Sequence, residues 1–237
     1  MCNLLIKNEL YVKILYMKKL FSCLMKGIKA VISFILGVIL IFVAVILFIP
    51  FRVIFPTRIV GRENLRKVKG GKIVASNHFS NFDGVLLVVF FYPYTFARKF
   101  LAKVELAKKK FFAFVLRSFG AIFINRKSLD VKAMREAVST LKKGKTLIMF
   151  PEGTRNKEGA EDTKDLKGGV IFFAQKADAT IVPVTFLHRP RPFKMNKIIV
   201  CEGYKIDKGV KLDTEKEIEV LTNIYKDTRE KHLKKKG

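Results

Sequence analysis

The 237-residue chain is 50% hydrophobic and carries 46 Lys and Arg against 20 Asp and Glu, a formal net charge of +26. Its length suits one core of ordinary domain size plus a modest extension. Its charge calls for an anionic partner, whether nucleic acid, an anionic membrane face, or a phosphorylated or acidic-carrier substrate. The three cysteines, Cys2, Cys23 and Cys201, show neither paired nor metal-ligand spacing, which argues against a disulfide framework or zinc site and for a reducing compartment.

In chain order, Leu10, Ile14, Met17, Phe21, Leu24 and Ile28 recur at helical spacing among lysines. This pattern predicts a basic amphipathic helix able to lie in the headgroup plane. Met17, before Lys18 and Lys19, is an alternative start to Met1. Residues 31–51 contain no Lys, Arg, Asp or Glu, and about 20 apolar residues are enough to cross a bilayer or anchor monotopically. A cleaved signal peptide fits less well, because the run is too long and leads into Pro50, Phe51 and Arg52 without a small-residue cleavage site. Cationic residues on both flanks leave orientation open and allow both ends to be cytoplasmic. The apolar run favours a membrane partner over nucleic acid, and we expect a membrane-anchor segment at 1–55 and an α/β domain at 56–237.

After an Arg-, Lys- and Gly-rich linker at 62–72, short apolar runs alternate with amphipathic segments. The predicted fold class is α/β, a mostly parallel central sheet flanked by helices. Runs at 73–76, 121–124, 147–150, 181–186 and 198–201 lack polar alternation and predict buried strands. Val131, Met134, Val138 and Leu141 predict one amphipathic helix, and Ile218, Leu221, Ile224 and Tyr225 another, opened by a capping box of Thr214 and Glu217. The basic tail at 231–236 reads as a solvated helix end.

Two constellations carry chemistry. The first is Asn77-His78-Phe79-Ser80-Asn81-Phe82-Asp83, directly after a predicted strand. In one continuous helix His78 and Asp83 would stand about 140° apart, but a turn leading into a helix start can bring them together. Asp83 would then accept the Nδ1 proton of His78 and leave Nε2 to deprotonate a substrate hydroxyl. Ser80 and Asn81 would cap the helix or hold the turn. The bland alternative is a histidine satisfied by a neighbouring aspartate.

The second constellation, Phe150-Pro151-Glu152-Gly153-Thr154-Arg155, ends another predicted strand, where α/β proteins place ligand sites. Gly153 permits close backbone approach, Thr154 offers a hydroxyl, and Arg155 offers a planar fork for phosphate. His188 and His232 are isolated, so no metal site is expected. Arg189 and Arg191, interleaved with Pro190 and Pro192, read as a basic loop.

Together the two boxes resemble the HxxxxD and FPEGTR-like signatures of the glycerolipid acyltransferases, especially those acting on 1-acylglycerol 3-phosphate. Gly120 to Arg126 and Ile181-Val182-Pro183-Val184 resemble the family's middle and late blocks. Lys103-Val104-Glu105-Leu106 looks like a segment whose lysine approaches the site. Lys167-Gly168-Gly169 departs mildly from a commoner Lys-Gly-Ala-like turn. The resemblance implies His78 as base, Asp83 as its orienter, and Glu152, Gly153, Thr154 and Arg155 as part of the acceptor site, with Lys103 and Arg126 on phosphate.

The implied reaction is direct acyl transfer from acyl-CoA or acyl carrier protein to lysophosphatidic acid, giving phosphatidic acid without a resident cofactor. Backbone N–H groups near Gly153 or the Lys103 ammonium are candidate oxyanion donors. The expected partners are anionic membrane lipids, lysophosphatidic acid and the acyl carrier, with no nucleic acid. The expected location is the cell membrane, with the catalytic domain on its cytoplasmic face. Another lysophospholipid acceptor, acyl-thioester hydrolysis, and a non-enzymatic membrane-tethered binder of anionic lipid or nucleic acid are the competing readings.

Overall fold

The computed structural model describes residues 13, 15–28, 30–32, 35, 49–91, 98–126, 128–156, 166–206 and 213–233. The chain divides into two compact units, Met1–Pro50 and Phe51–Gly237. In the first, residues 15–28 are helical and all of them are exposed, Met17, Phe21, Leu24 and Ile28 among them. Leu10 and Ile14 of that stripe, and residues 33–34 and 36–48 of the expected anchor, lie outside the described residues. Among the described residues no helix is long and apolar enough to cross a membrane.

In the second unit, Phe51 and Phe55 stack at 5.5 Å and Phe55 packs on Phe82 at 5.1 Å, which ties the start of this unit into its own core. Seven strands form one sheet: β1 (Thr57–Val60), β2 (Lys72–Ser76), β3 (Lys99–Lys103), β4 (Ala121–Ile124), β5 (Thr146–Met149), β6 (Thr180–Phe186) and β7 (Asn196–Val200). Their order is β1-β7-β6-β2-β5-β3-β4, and every pairing is parallel except β6 with β7. The mostly parallel sheet expected from the sequence is therefore present. β2, β5 and β6 carry the continuous Val- and Ile-rich runs of strands covered on both faces.

β1 and β3 are the two strands without such a run. Most of their residues are only half-buried, and Lys99 and Lys103 bound β3, so neither presents the apolar signal of a central strand. The segment 62–72 is likewise no linker. It contains helix α1 (Glu63–Lys67), whose Leu65 is fully buried, and the Lys72 ammonium donates to the Leu65 and Val68 carbonyls. Charged side chains around one buried leucine disguise an ordered turn of helix as a solvated connection.

Between the strands lie α2 (Phe82–Phe91), a 3₁₀ turn (Val104–Lys108), α3 (Lys110–Ser118), α4 (Val131–Lys142) and α5 (Gly169–Ala177), with α6 (Thr214–Leu233) at the end. α4, α5 and α6 share one core with the strands: Ala133, Ala137 and Leu141 meet Val170, Ile171 and Phe173, and Leu221 and Tyr225 of α6 join them. α2 differs in having every residue from Leu86 to Phe91 buried, so its last turns are enclosed on all sides, while Phe82 and Val85 of its first turn are exposed. The start of α6 also departs from expectation. Thr214 is its first helical residue, and the Asp213 carboxylate accepts the Lys216 N–H at 3.1 Å, so Asp213 provides the cap expected of Thr214.

The strand register places the two sequence boxes. Ala75 pairs with Met149 and Ser76 with Val184, so the chain leaves β2 at Asn77 beside the exit from β5 at Phe150. Lys103 pairs with Ile124, so β3 and β4 end on the same sheet edge, with Asn125 and Arg126 following. Leu221 is 1% exposed within the shared core, and its truncation removes a large buried side chain from the helix that closes that core. Leu221→Ala is expected to cost about 2–5 kcal/mol, seen as a lowered midpoint of chemical denaturation in detergent.

Candidate active site

The spacing between His78 and Asp83 is a consequence of how α2 starts. Ser80 Oγ accepts the Phe82 N–H at 3.1 Å, and Asp83 reaches back so that its Oδ2 accepts the Ser80 N–H at 2.7 Å. This reciprocal arrangement is a capping box, with Ser80 as the cap and Asp83 in the first turn. The same carboxylate accepts the Phe79 N–H at 2.6 Å, the Ser80 hydroxyl at 2.7 Å and His78 Nδ1 at 2.9 Å.

Asp83 is fully buried, and all four of its partners donate, which fills the acceptor capacity of an ionised carboxylate. Burying a carboxylate costs several kcal/mol unless such bonds replace its water. Its position in the first turn adds a favourable interaction with the helix dipole. With Nδ1 donating, Nε2 carries the lone pair, and the imidazole retains some solvent contact at 18% side-chain exposure.

The second box grips the first. His78 donates its N–H to Glu152 Oε1 at 3.2 Å, and its carbonyl accepts the Asn156 N–H at 2.8 Å. The Phe150 ring stacks on the imidazole with centroids 4.0 Å apart and planes inclined by 17°. Asn77, next to the histidine, is clamped by a two-way bond to Phe186 of β6: Nδ2 donates to its carbonyl at 3.0 Å and Oδ1 accepts its N–H at 2.8 Å. Phe150, Asn156 and Asn77 thus fix the histidine, and each sits inside or beside a box already recognised. Their exact partners were hidden because the contacts bridge elements 70 or more positions apart.

Gly153 has φ +69°, a left-handed conformation that suits glycine, and the Lys167 side chain comes within 3.3 Å of where a Cβ would stand. Its N–H donates to the Phe150 carbonyl at 3.1 Å and is therefore committed to the turn, which removes that group from the expected oxyanion donors. Lys167 also donates its backbone N–H to Pro151 at 2.9 Å. The Arg126 guanidinium donates to the Gly153 carbonyl, bringing the middle block onto the second box. Desolvation lowers the Arg126 pKa from its ordinary value and the nearby Glu105 carboxylate opposes that shift.

Asp130, capping α4, accepts the Ala133 and Asn125 N–H groups at 3.1 Å each and so braces the loop that carries Arg126. Thr154, Arg155 and Lys103 are exposed on the same sheet edge. The structure therefore brings together His78, Asp83, Glu152, Gly153 and Arg126, and leaves Lys103, Thr154 and Arg155 as surface groups around them. Glu152 is 4% exposed and engaged with the His78 backbone, which makes it a positioning group for the histidine.

Elsewhere, burial pushes the Cys201 thiol up, while the hydrogen bond it shares with Thr228 opposes the shift, so its nucleophilic thiolate is disfavoured. Among the described residues no group of three or more His, Cys, Asp or Glu side chains is placed to hold a metal ion.

Comparison with known proteins agrees with this geometry. Residues 56–187 match the family model described as Acyltransferase. The chain is 36% identical over 186 residues to a 1-acyl-sn-glycerol-3-phosphate acyltransferase of Borreliella burgdorferi, covering 74% of this chain and 70% of that protein. It is 30% identical to the enzyme of the same name from Streptococcus pneumoniae, covering 60% of this chain and 50% of that one. The crystal structure of the 1-acyl-sn-glycerophosphate (LPA) acyltransferase PlsC from Thermotoga maritima shares the fold, with a TM-score of 0.56 and 24% identity over 75% of this chain and 72% of that chain. With both boxes assembled at one sheet edge and this family model spanning them, the chain belongs to the acyltransferase family and is an O-acyltransferase.

Proposed function

We propose that the protein transfers a fatty acyl group from an acyl thioester, acyl-CoA or acyl carrier protein, to the sn-2 hydroxyl of 1-acyl-sn-glycerol 3-phosphate, giving phosphatidic acid. The observation that carries this reading is the His78–Asp83 pair, held at 2.9 Å by a capping box and locked through its backbone to the second box. The names of its relatives supply the acceptor class.

In the reaction His78 Nε2 accepts the hydroxyl proton as the oxygen attacks the thioester carbonyl. The tetrahedral oxyanion then collapses, breaking the C–S bond, and the departing thiolate takes the proton from the imidazolium. Asp83 holds the ring in the productive tautomer and stabilises its charged form without accepting the proton. No acyl-enzyme is needed, and the raised Cys201 thiol is a poor candidate for one. The Phe150 ring against the imidazole limits water on one side and restrains the base to one plane.

Arg126, fixed on the Gly153 carbonyl, with exposed Lys103 and Arg155, supplies the cations that a dianionic phosphomonoester requires. The Lys103 ammonium is the remaining side-chain candidate for stabilising the oxyanion. We place the enzyme at the cell membrane, with its catalytic unit on the cytoplasmic face and the apolar segment at 31–51 as anchor. The basic surface supports attraction of both anionic lipid and either anionic carrier.

Two outcomes follow. His78→Ala, folded as judged by circular dichroism, should lose about 10²–10⁴-fold in acceptor-dependent thiol release from a long-chain acyl thioester; an unchanged rate would overturn the role of the base. Arg126→Ala should raise the KM for lysophosphatidic acid by about 10-fold or more, as expected for loss of a charge-assisted bond worth roughly 1.5–3 kcal/mol, and unchanged saturation by the acceptor would remove Arg126 from the phosphate site.

A further inference from the structure

Helix α3 presents its apolar side chains outward. Its one buried residue is Ala113, whereas Phe111, Phe112 and Phe114 are 81%, 45% and 53% exposed. At 100° per residue Phe111 and Val115 stand opposite Ala113, with Phe112 and Phe114 roughly 100° from it on either side. Scattered exposed hydrophobics are ordinary, but a contiguous aromatic surface on a nine-residue helix is a binding feature. Exposed Leu106 and Val104 in the preceding 3₁₀ turn extend it.

Cations rim this surface. Lys108, Lys109 and Lys110 lead into the helix and Arg117 stands near its end, all exposed, with the Arg117 guanidinium 5.5 Å from the centre of the Phe123 ring. The aromatic face and its lysines therefore combine an apolar wedge with a complement to negative headgroups. A second copy of this chain would bring the same lysine cluster, on a protein of net charge +26, against itself. The position in the fold matters as well. The 3₁₀ turn and α3 connect the end of β3 to the start of β4, so the lysines and Phe111 follow directly from the sheet edge that bears the His78–Asp83 pair.

We propose that α3 and its preceding turn form a second membrane contact, within the acyltransferase unit itself, in which Phe111, Phe112 and Phe114 enter the headgroup–acyl boundary of an anionic bilayer. This inference rests on the exposed face and its charge, and stands or falls independently of which lysolipid is the acceptor. Its function would be to hold the site edge at the depth where an acyl-bearing acceptor presents its headgroup.

The chain contains no Trp, so Phe111→Trp and Phe114→Trp each give a single reporter at a position already exposed and aromatic. The full-length variants, reconstituted in phosphatidylcholine–phosphatidylglycerol vesicles, should show blue-shifted emission and be quenched by brominated acyl chains several-fold more strongly than Val220→Trp on α6. Raising the phosphatidylglycerol fraction should strengthen the quenching. Water-like emission with quenching no greater than that of Val220→Trp would overturn the proposal, and so would a blue shift without bromolipid quenching, which signals contact with protein instead of lipid.

Discussion

The buried carboxylate of Asp83 is the constraint on which the rest of the site depends. It must be satisfied by four donors because no water reaches it, and those donors come from one short stretch: the backbone of Phe79 and Ser80, the Ser80 hydroxyl and the His78 ring. Satisfying the carboxylate therefore forces the turn, starts α2 and orients the histidine in one step. The five-residue spacing of the box is the separation that lets a first-turn aspartate reach back past its own helix cap. The same bonds that stabilise the helix start also hold the Nδ1 edge of the imidazole against the carboxylate and leave Nε2 on the far side of the ring.

The parallel sheet extends this local constraint into a site. Because β2, β5, β3 and β4 all run the same way, their carboxyl-terminal ends gather His78, the second box, Lys103 and Arg126 on one edge without any of these groups being adjacent in sequence. Glu152 and Asn156 then fasten both backbone polar groups of His78, so the second box serves as a mechanical support for the histidine while its end, Thr154 and Arg155, stays exposed. Lys103 and Arg155 at this edge, and Lys108, Lys109, Lys110 and Arg117 along α3 and the turn before it, are exposed, which gives this part of the unit a positive surface.

How legible this was in the sequence varied with the physics of each element. Buried strands such as Thr180–Phe186 stand out because a two-sided sheet requires a continuous apolar run. β3 did not, since its half-buried residues and bounding lysines resemble a loop. The pairing of His78 with Asp83 could be foreseen, because a turn into a helix is a local event. The stacking of Phe150 and the clamp of Asn77 on Phe186 depend on strand register, which no local pattern specifies. The reassignment of the α6 cap from Thr214 to Asp213 shows the one-residue ambiguity of helix starts where two capping residues adjoin.

The most direct test of the central claim is the tautomer of His78, read from ¹⁵N chemical shifts of the ring in detergent-solubilised protein, with His188 and His232 variants to assign the resonance. Nδ1 is expected to carry the proton, locked toward Asp83, and Nε2 to have the shift of an unprotonated, proton-accepting nitrogen. A proton resident on Nε2 in the neutral ring would contradict this, because the nitrogen facing the substrate would then be a donor with no lone pair to receive the hydroxyl proton.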